Sequence, residues 1–334
     1  MPTNPILSVS GLNVSFNTPH GRVVANNMVS LSVEAGETLG IVGESGSGKS
    51  VLCRALLGLL PTPPATVSAE KLDFAGRSLL SMNAAEMRAV RGQEIAMVFQ
   101  NPMSSLNPVW PIGDQISEGL RIHRGASRVE ARAAAISALH RVGIPSAEIR
   151  VDEYPHEWSG GMVQRAVIAM AMIGEPKLLL ADEPTTALDV TIQDQILSLL
   201  MQLQRETGMA IILVSHDISV ISETCDHVAV MYAGHIVEIG STADIFRNPA
   251  HPYTFGLLQS VPHVTGKIDK LASIPGQPPD LATLGSGCPF ADRCAVVSPE
   301  CLSLRISLAH VEPGHQTACH FPERVAQLGH RLAK

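Results

Sequence analysis

The sequence predicts an α/β fold with a largely parallel central sheet, and three observations carry that prediction. Short apolar runs alternate with stretches of helical pattern. Four of those runs, Thr38–Val42, Ile95–Phe99, Leu178–Ala181 and Ile211–Val214, read as buried strands. Between two of them Val190, Ile192, Ile196, Leu199, Leu200 and Leu203 line one face of a helix. A chain of 334 residues is long enough for more than one domain and for a core that needs no disulfides. Hydrophobic content of 45% with 16% charged residues fits a globular enzyme and excludes a disordered chain.

Taken in order, Thr38–Val42 runs into GESGSGKS, Gly43–Ser50, and then into the helical run Val51–Leu60. Ile95–Phe99 ends in Gln100. From about Pro102 to Glu157 strand signals vanish, and Ala-rich, amphipathic Ser127–Val142 stops at Gly143. This region, about 102–165, is expected to be a small helical subdomain. HEWSGGMVQR begins at His156, and Ser159 is placed to cap a helix bearing Met162, Ala166, Ile168, Ala169 and Met172. Gly160 and Gly161 leave the N–H groups of its first turn bare of side chains. On these residues alone the stretch reads as an ordinary capped helix, or as an anion-binding helix start whose ligand is held elsewhere. Val228–Tyr232 and Ile236–Ile239, joined around Gly234, read as a hairpin. Beyond Gly240 prolines punctuate the chain (Pro249, Pro252, Pro262, Pro275, Pro278, Pro279), and four of the six cysteines lie past residue 287. Ser241–Lys334 is expected to be an appended, loop-rich extension.

Four strand ends carry chemistry. GESGSGKS matches the phosphate-binding loop G-x-x-x-x-G-K-[ST] in its strand–loop–helix context. Gly43, Glu44, Ser45, Gly46, Ser47 and Gly48 would turn backbone N–H groups toward phosphate oxygens, with the following helix start adding positive potential. Lys49 would neutralise the β- and γ-phosphates, and Ser50 would place its hydroxyl on Mg²⁺. In KLLLADEP, Asp182 suits the Mg²⁺ shell and Glu183 can take a proton from an attacking water. His216, in LVSHD, ends the next strand and could reach a γ-phosphate; Gln100 could reach Mg²⁺ or the attacking water.

The net charge of −7 and the lack of any Lys/Arg run argue against nucleic-acid binding. No signal peptide is read at the start, and no stretch approaches the roughly 18 uninterrupted apolar residues of a membrane span. A cytosolic location is expected.

GESGSGKS, Gln100, SGGM, LLLADEP, TALD and VSHD, in this order, resemble the ATP-binding subunits of ABC transporters over about the first 240 residues. The resemblance implies a RecA-like ABC ATPase core (1–240) with an antiparallel β subdomain and the helical subdomain, followed by the extension (241–334). It implies that Ser159, Gly160 and Gly161 contact ATP held by the phosphate loop of a second subunit, with Asp189 communicating across the same interface. It places Phe16 where an aromatic stacks on adenine; on its own, Phe16 also reads as a strand core residue. Trp158 and Met162 stand where the common signature has leucine and glutamine. A DNA-repair, chromosome-organisation or translation ATPase is the rival class, without the long coiled-coil insertions or basic surface it would carry. A small-molecule kinase does not account for SGGM, TALD and VSHD together.

NPMSSLNPVWPIGDQI, YPHEWSGGM, VMYAGHIVEIG, IFRNPAHPYTFGLLQSVP and GCPFADRC further resemble the D-type subunits of peptide and nickel importers. That narrower resemblance implies an ATPase powering di- or oligopeptide import, with nickel complexes or glutathione as alternative cargoes. The implied partners are an F-type ATPase subunit, two transmembrane permeases and, indirectly, an extracytoplasmic peptide-binding protein. The implied location is the cytoplasmic face of the bacterial inner membrane. Cys53 and Cys225 read as buried small residues. For Cys288, Cys294, Cys301 and Cys319 the spacing leaves a metal site and four idle thiols open; the resemblance implies a [4Fe–4S] cluster, with Zn²⁺ as the alternative. His310, His315 and His320 read as ordinary loop histidines.

Overall fold

A computed structural model describes residues 5–19, 21–186, 188–260, 274–325 and 328. Ala187 and Pro262, both noted in the sequence, lie outside these. In chain order β1 (Leu7–Thr18) and β2 (Gly21–Val33) precede β3 (Thr38–Val42) and α1 (Lys49–Leu56). The short strands β4 (Ala65–Ser68), β5 (Lys71–Phe74) and β6 (Arg77–Ser78) follow, then α2 (Ala84–Val90) and β7 (Ile95–Val98). A run of helices comes next: α3 (Pro102–Ser105), α4 (Ile112–Arg124), α5 (Arg128–Arg141), α6 (Ala147–Arg150) and α7 (Gly160–Met172). After them stand β8 (Leu178–Asp182), α8 (Val190–Thr207), β9 (Ala210–Ser215) and α9 (Ile218–Thr224). The chain continues through β10 (His227–Tyr232), β11 (His235–Ser241), α10 (Thr242–Arg247), α11 (Pro252–Gln259), β12 (Ala309–Glu312) and β13 (His315–Thr317).

Two compact units result. The first gathers Val33–Glu37 and Phe74–Val214; the second gathers Leu7–Ser32, Thr38–Asp73 and the chain from Ser215. In the first, β7, β8 and β9 form a parallel ladder, with Ile95 opposite Leu178 and Leu178 opposite Ala210. Leu178, Leu179 and Leu180 have no exposed surface, and burial of each side chain contributes roughly 1.5–3 kcal/mol. The expected helical region is present as α3–α7. Helix α5 opens on a capping box, in which Ser127 accepts from the Glu130 amide and Glu130 accepts from the Ser127 amide.

In the second unit β1 lies beside β2 and β5 and pairs antiparallel with β4. β3 pairs in parallel with β10, and β10 turns back into β11 as the expected hairpin. Helix α1 ends at Leu56 rather than reaching Leu60. Gly58, at φ 58°, donates to Ala55 O and Leu59 donates to Arg54 O, a Schellman closure that stops the helix.

The C-terminal segment is more ordered than a loop-rich reading expects. β13 adds to β11, with Glu238 opposite Thr317, and β12 adds to β13. One buried carboxylate ties these parts together. Glu238, with no exposed surface, accepts from the amides of Ala250 (2.6 Å) and His251 (2.9 Å) and bonds His315 Nε2 at 2.8 Å. His315 is only 2% exposed, so it is a core residue and not a loop histidine; its hydrogen bond to Glu238 raises its pKa. His251 is also buried, which pushes its pKa down to about 3 and keeps it neutral.

Candidate active site

The phosphate-loop segment lies between β3 and α1 in the second unit. Its turn needs Gly48. At φ 101° a side chain is strained, and a Cβ there would stand 2.3 Å from Ala25 O. Ser45 and Gly46 are exposed, whereas Lys49 is 4% exposed and tucked under the loop. Its Nζ donates to Gly43 O (2.7 Å), Glu44 O (3.0 Å) and Ser47 Oγ (3.5 Å). The ammonium is thus held at the centre of the loop by carbonyl oxygens. Ser50, half-buried, follows Lys49 in the first turn of α1. Phe16 lies on β1 opposite Ala65 and is only half-buried, so it is not the core phenylalanine of the plainer reading. His216 follows β9 and is exposed.

The first unit holds the acidic strand end. Asp182 closes β8 at 1% exposure. Glu183 comes next, half-buried and with a positive φ of 47°, a backbone strain of about 1–3 kcal/mol for a non-glycine residue. Its amide donates to Val214 O at 3.1 Å. Its carboxylate accepts from Gln100 Nε2 (3.0 Å) and from Thr186 Oγ1 (2.8 Å). Two strand ends and the following loop therefore aim one carboxylate. Thr186 escaped the sequence reading, although ADEPTT places its hydroxyl three residues after the acid.

In the same unit, Ser159 occupies the N-cap position of α7 but makes no side-chain cap bond. Ser159 and Gly160 are exposed and Gly161 is half-buried. A serine at a helix start usually spends its oxygen on its own helix; this one does not. Asp189 is exposed and caps α8, accepting from the Ile192 amide at 3.0 Å. Trp158 now has a physical account: it is 7% exposed, and its indole N–H donates to Glu153 Oε2 at 2.7 Å, so it fills the apolar position with its polar edge satisfied.

Residues 26–186 match the family described as ABC transporter, and residues 237–301 match the oligopeptide/dipeptide transporter C-terminal region. The oligopeptide transport ATP-binding protein OppD of Salmonella typhimurium is 46% identical over 96% of this chain and 95% of its own. The chain belongs to the ABC transporter ATP-binding subunits. The dipeptide transport ATP-binding protein DppD of Bacillus subtilis is 50% identical over 86% of each chain. Among solved structures, a dimeric post-hydrolysis state of the ATP-binding cassette MJ0796, bound to ADP and Pi, superposes with a TM-score of 0.63. It is 26% identical, over 71% of this chain and 98% of that one. The chain is thus an ABC ATPase, and its core is of the RecA-like kind. Among the described residues no helix is long and apolar enough to cross a membrane.

The second family match leads to the cysteines. Cys288, Cys294, Cys301 and Cys319 line one cavity with His251, Phe290 and other mainly apolar side chains. Burial, and the neighbouring thiols, raise Cys288 to about 11 and Cys319 to about 12. At Cys319 one backbone amide opposes this: Phe321 N–H donates to Cys319 Sγ at 3.4 Å. Among the described residues no group of three or more His, Cys, Asp or Glu side chains is placed to hold a metal ion.

Proposed function

We propose that this chain hydrolyses ATP to energise import of di- or oligopeptides. The observation that carries the catalytic part is the Glu183 carboxylate, strained at the end of β8 and aimed by Gln100 and Thr186. In this reading residues 1–240 are the nucleotide-binding domain and 241–334 the extension. The Gly43–Ser50 loop cradles the phosphates, Lys49 turns from loop carbonyls to phosphate oxygens, and Phe16 stacks on adenine. Ser50, Asp182 and Gln100 supply the oxygen donors that suit Mg²⁺, which when bound neutralises charge on the transferring phosphoryl group. Glu183 accepts the proton of the attacking water, and His216 hydrogen-bonds the γ-phosphate. Ser159, Gly160, Gly161 and Asp189 serve the ATP of a second, F-type ATPase subunit. The pair docks beneath two permeases at the cytoplasmic face of the inner membrane, fed by an extracytoplasmic peptide-binding protein. The peptide cargo rests on the names of the relatives. Deleting the chain is expected to abolish uptake of labelled di- and oligopeptides while uptake of nickel and of glutathione continues. Intact peptide uptake with loss of either other cargo would contradict the assignment.

For the extension we propose a structural [4Fe–4S] cluster on Cys288, Cys294, Cys301 and Cys319. Support comes from their shared apolar cavity and from the Phe321 N–H directed at Cys319 Sγ, a bond that favours thiolate. Bound, the cluster would cross-link the extension. Anaerobic purification should yield iron and acid-labile sulfide with a visible absorption band. Colourless protein whose four thiols all react while folded, with neither iron nor zinc, would remove the metal reading.

A further inference from the structure

A carboxylate in a phosphate-binding loop would repel a bound polyphosphate unless its charge were answered. Glu44 is such a residue, and the structure shows what answers it. Arg293, one residue before Cys294 in the extension, lies 249 positions away in sequence and grips both carboxylate oxygens, Nη1 to Oε2 at 2.7 Å and Nη2 to Oε1 at 3.0 Å. The arginine is 9% exposed, and the Glu44 side chain is 25% exposed. Its Nε donates to Pro275 O (2.8 Å) and Nη1 to the Tyr232 hydroxyl (3.2 Å), so the guanidinium is fixed before it meets Glu44. The backbone of Glu44 is held from the same side, its amide donating to Tyr253 Oη at 2.8 Å, while its carbonyl accepts from Lys49. Tyr232, Tyr253 and Phe290 pack together with ring centroids 4.6–5.4 Å apart, and Phe290 also lines the cysteine cavity.

We infer that Arg293 is a positioning residue for ATP binding: it neutralises Glu44 and fixes the phosphate loop, which makes the extension part of the nucleotide site. Bidentate guanidinium–carboxylate pairing gives both charge cancellation and a set geometry. The inference rests on the reading that Gly43–Ser50 holds ATP.

The test is ATP affinity of the purified full-length chain with Mg²⁺, by titration calorimetry, with circular dichroism to confirm folding. Arg293→Met should raise Kd about tenfold, or about 1.4 kcal/mol. Most of that loss should vanish when Arg293→Met is made in a Glu44→Gln background, because the uncompensated charge is gone. Arg293→Lys, measured in both backgrounds, keeps the charge without the fork and should recover part of the affinity; it serves also if the methionine variant does not fold. An equal loss in both backgrounds, or wild-type affinity in folded Arg293→Met, would overturn the role. Lys49→Ala separates the underlying reading: if it loses ATP while the Arg293 variants do not, only the positioning role fails. Wild-type affinity in Lys49→Ala removes both.

Discussion

Glu183→Gln is expected to bind ATP normally and to slow turnover by a factor on the order of 10²–10⁴. The amide keeps the shape of the carboxylate and can still pair with Gln100 and Thr186, but it cannot accept the proton of an attacking water. With hydrolysis blocked, the ATP-closed pair of ATPase subunits should accumulate and be visible as a dimer by size-exclusion chromatography with ATP. The measurement is steady-state phosphate release by the chain assembled with its partners. Normal hydrolysis by that variant would remove Glu183 from the role of base. The strained backbone at φ 47° sharpens the expectation, since such strain persists where the surrounding structure holds it, here through the Val214 carbonyl and two side-chain donors.

Ser159→Arg is expected to abolish hydrolysis at the phosphate loop of the partner ATPase while this chain's own loop still binds nucleotide. Its oxygen makes no cap bond to α7 and the helix start is exposed, which leaves both open to a ligand held by a second subunit. Lys49→Ala should do the reverse, losing nucleotide at this chain's loop by removing the ammonium held under it. The two variants are compared by nucleotide binding to the isolated chain and by site-resolved hydrolysis in the assembled pair. An identical binding defect in both isolated variants would contradict a site shared between subunits.

Much of this was legible in the sequence because buried parallel strands and phosphate loops write locally. Leu39–Val42 of β3 and Leu178–Ala181 of β8 carry no polar side chain, and each run ends where polar chemistry begins, so strand and site read together at Val42–Gly43 and Ala181–Asp182. What escaped depends on long-range pairing. Arg293 reads as one more charged loop residue until folding brings it to Glu44, and His315 reads as a loop histidine until β13 lands on β11 beside buried Glu238. Trp158 departs from the common signature, and its partner Glu153, though near in sequence, is recognised only once both side chains are placed. The end of α1 sat four residues early because a single glycine, Gly58, stops a run whose apolar pattern continues.

The most direct measurement is coupled transport in proteoliposomes holding the two permeases, the partner ATPase and this chain, with the peptide-binding protein outside and ATP inside. Peptide accumulation and phosphate release should rise together with wild-type chain, and both should collapse with Glu183→Gln while ATP stays bound. Peptide accumulation that continues at the wild-type rate with Glu183→Gln, or ATP hydrolysis that proceeds with no peptide moved, would contradict the account.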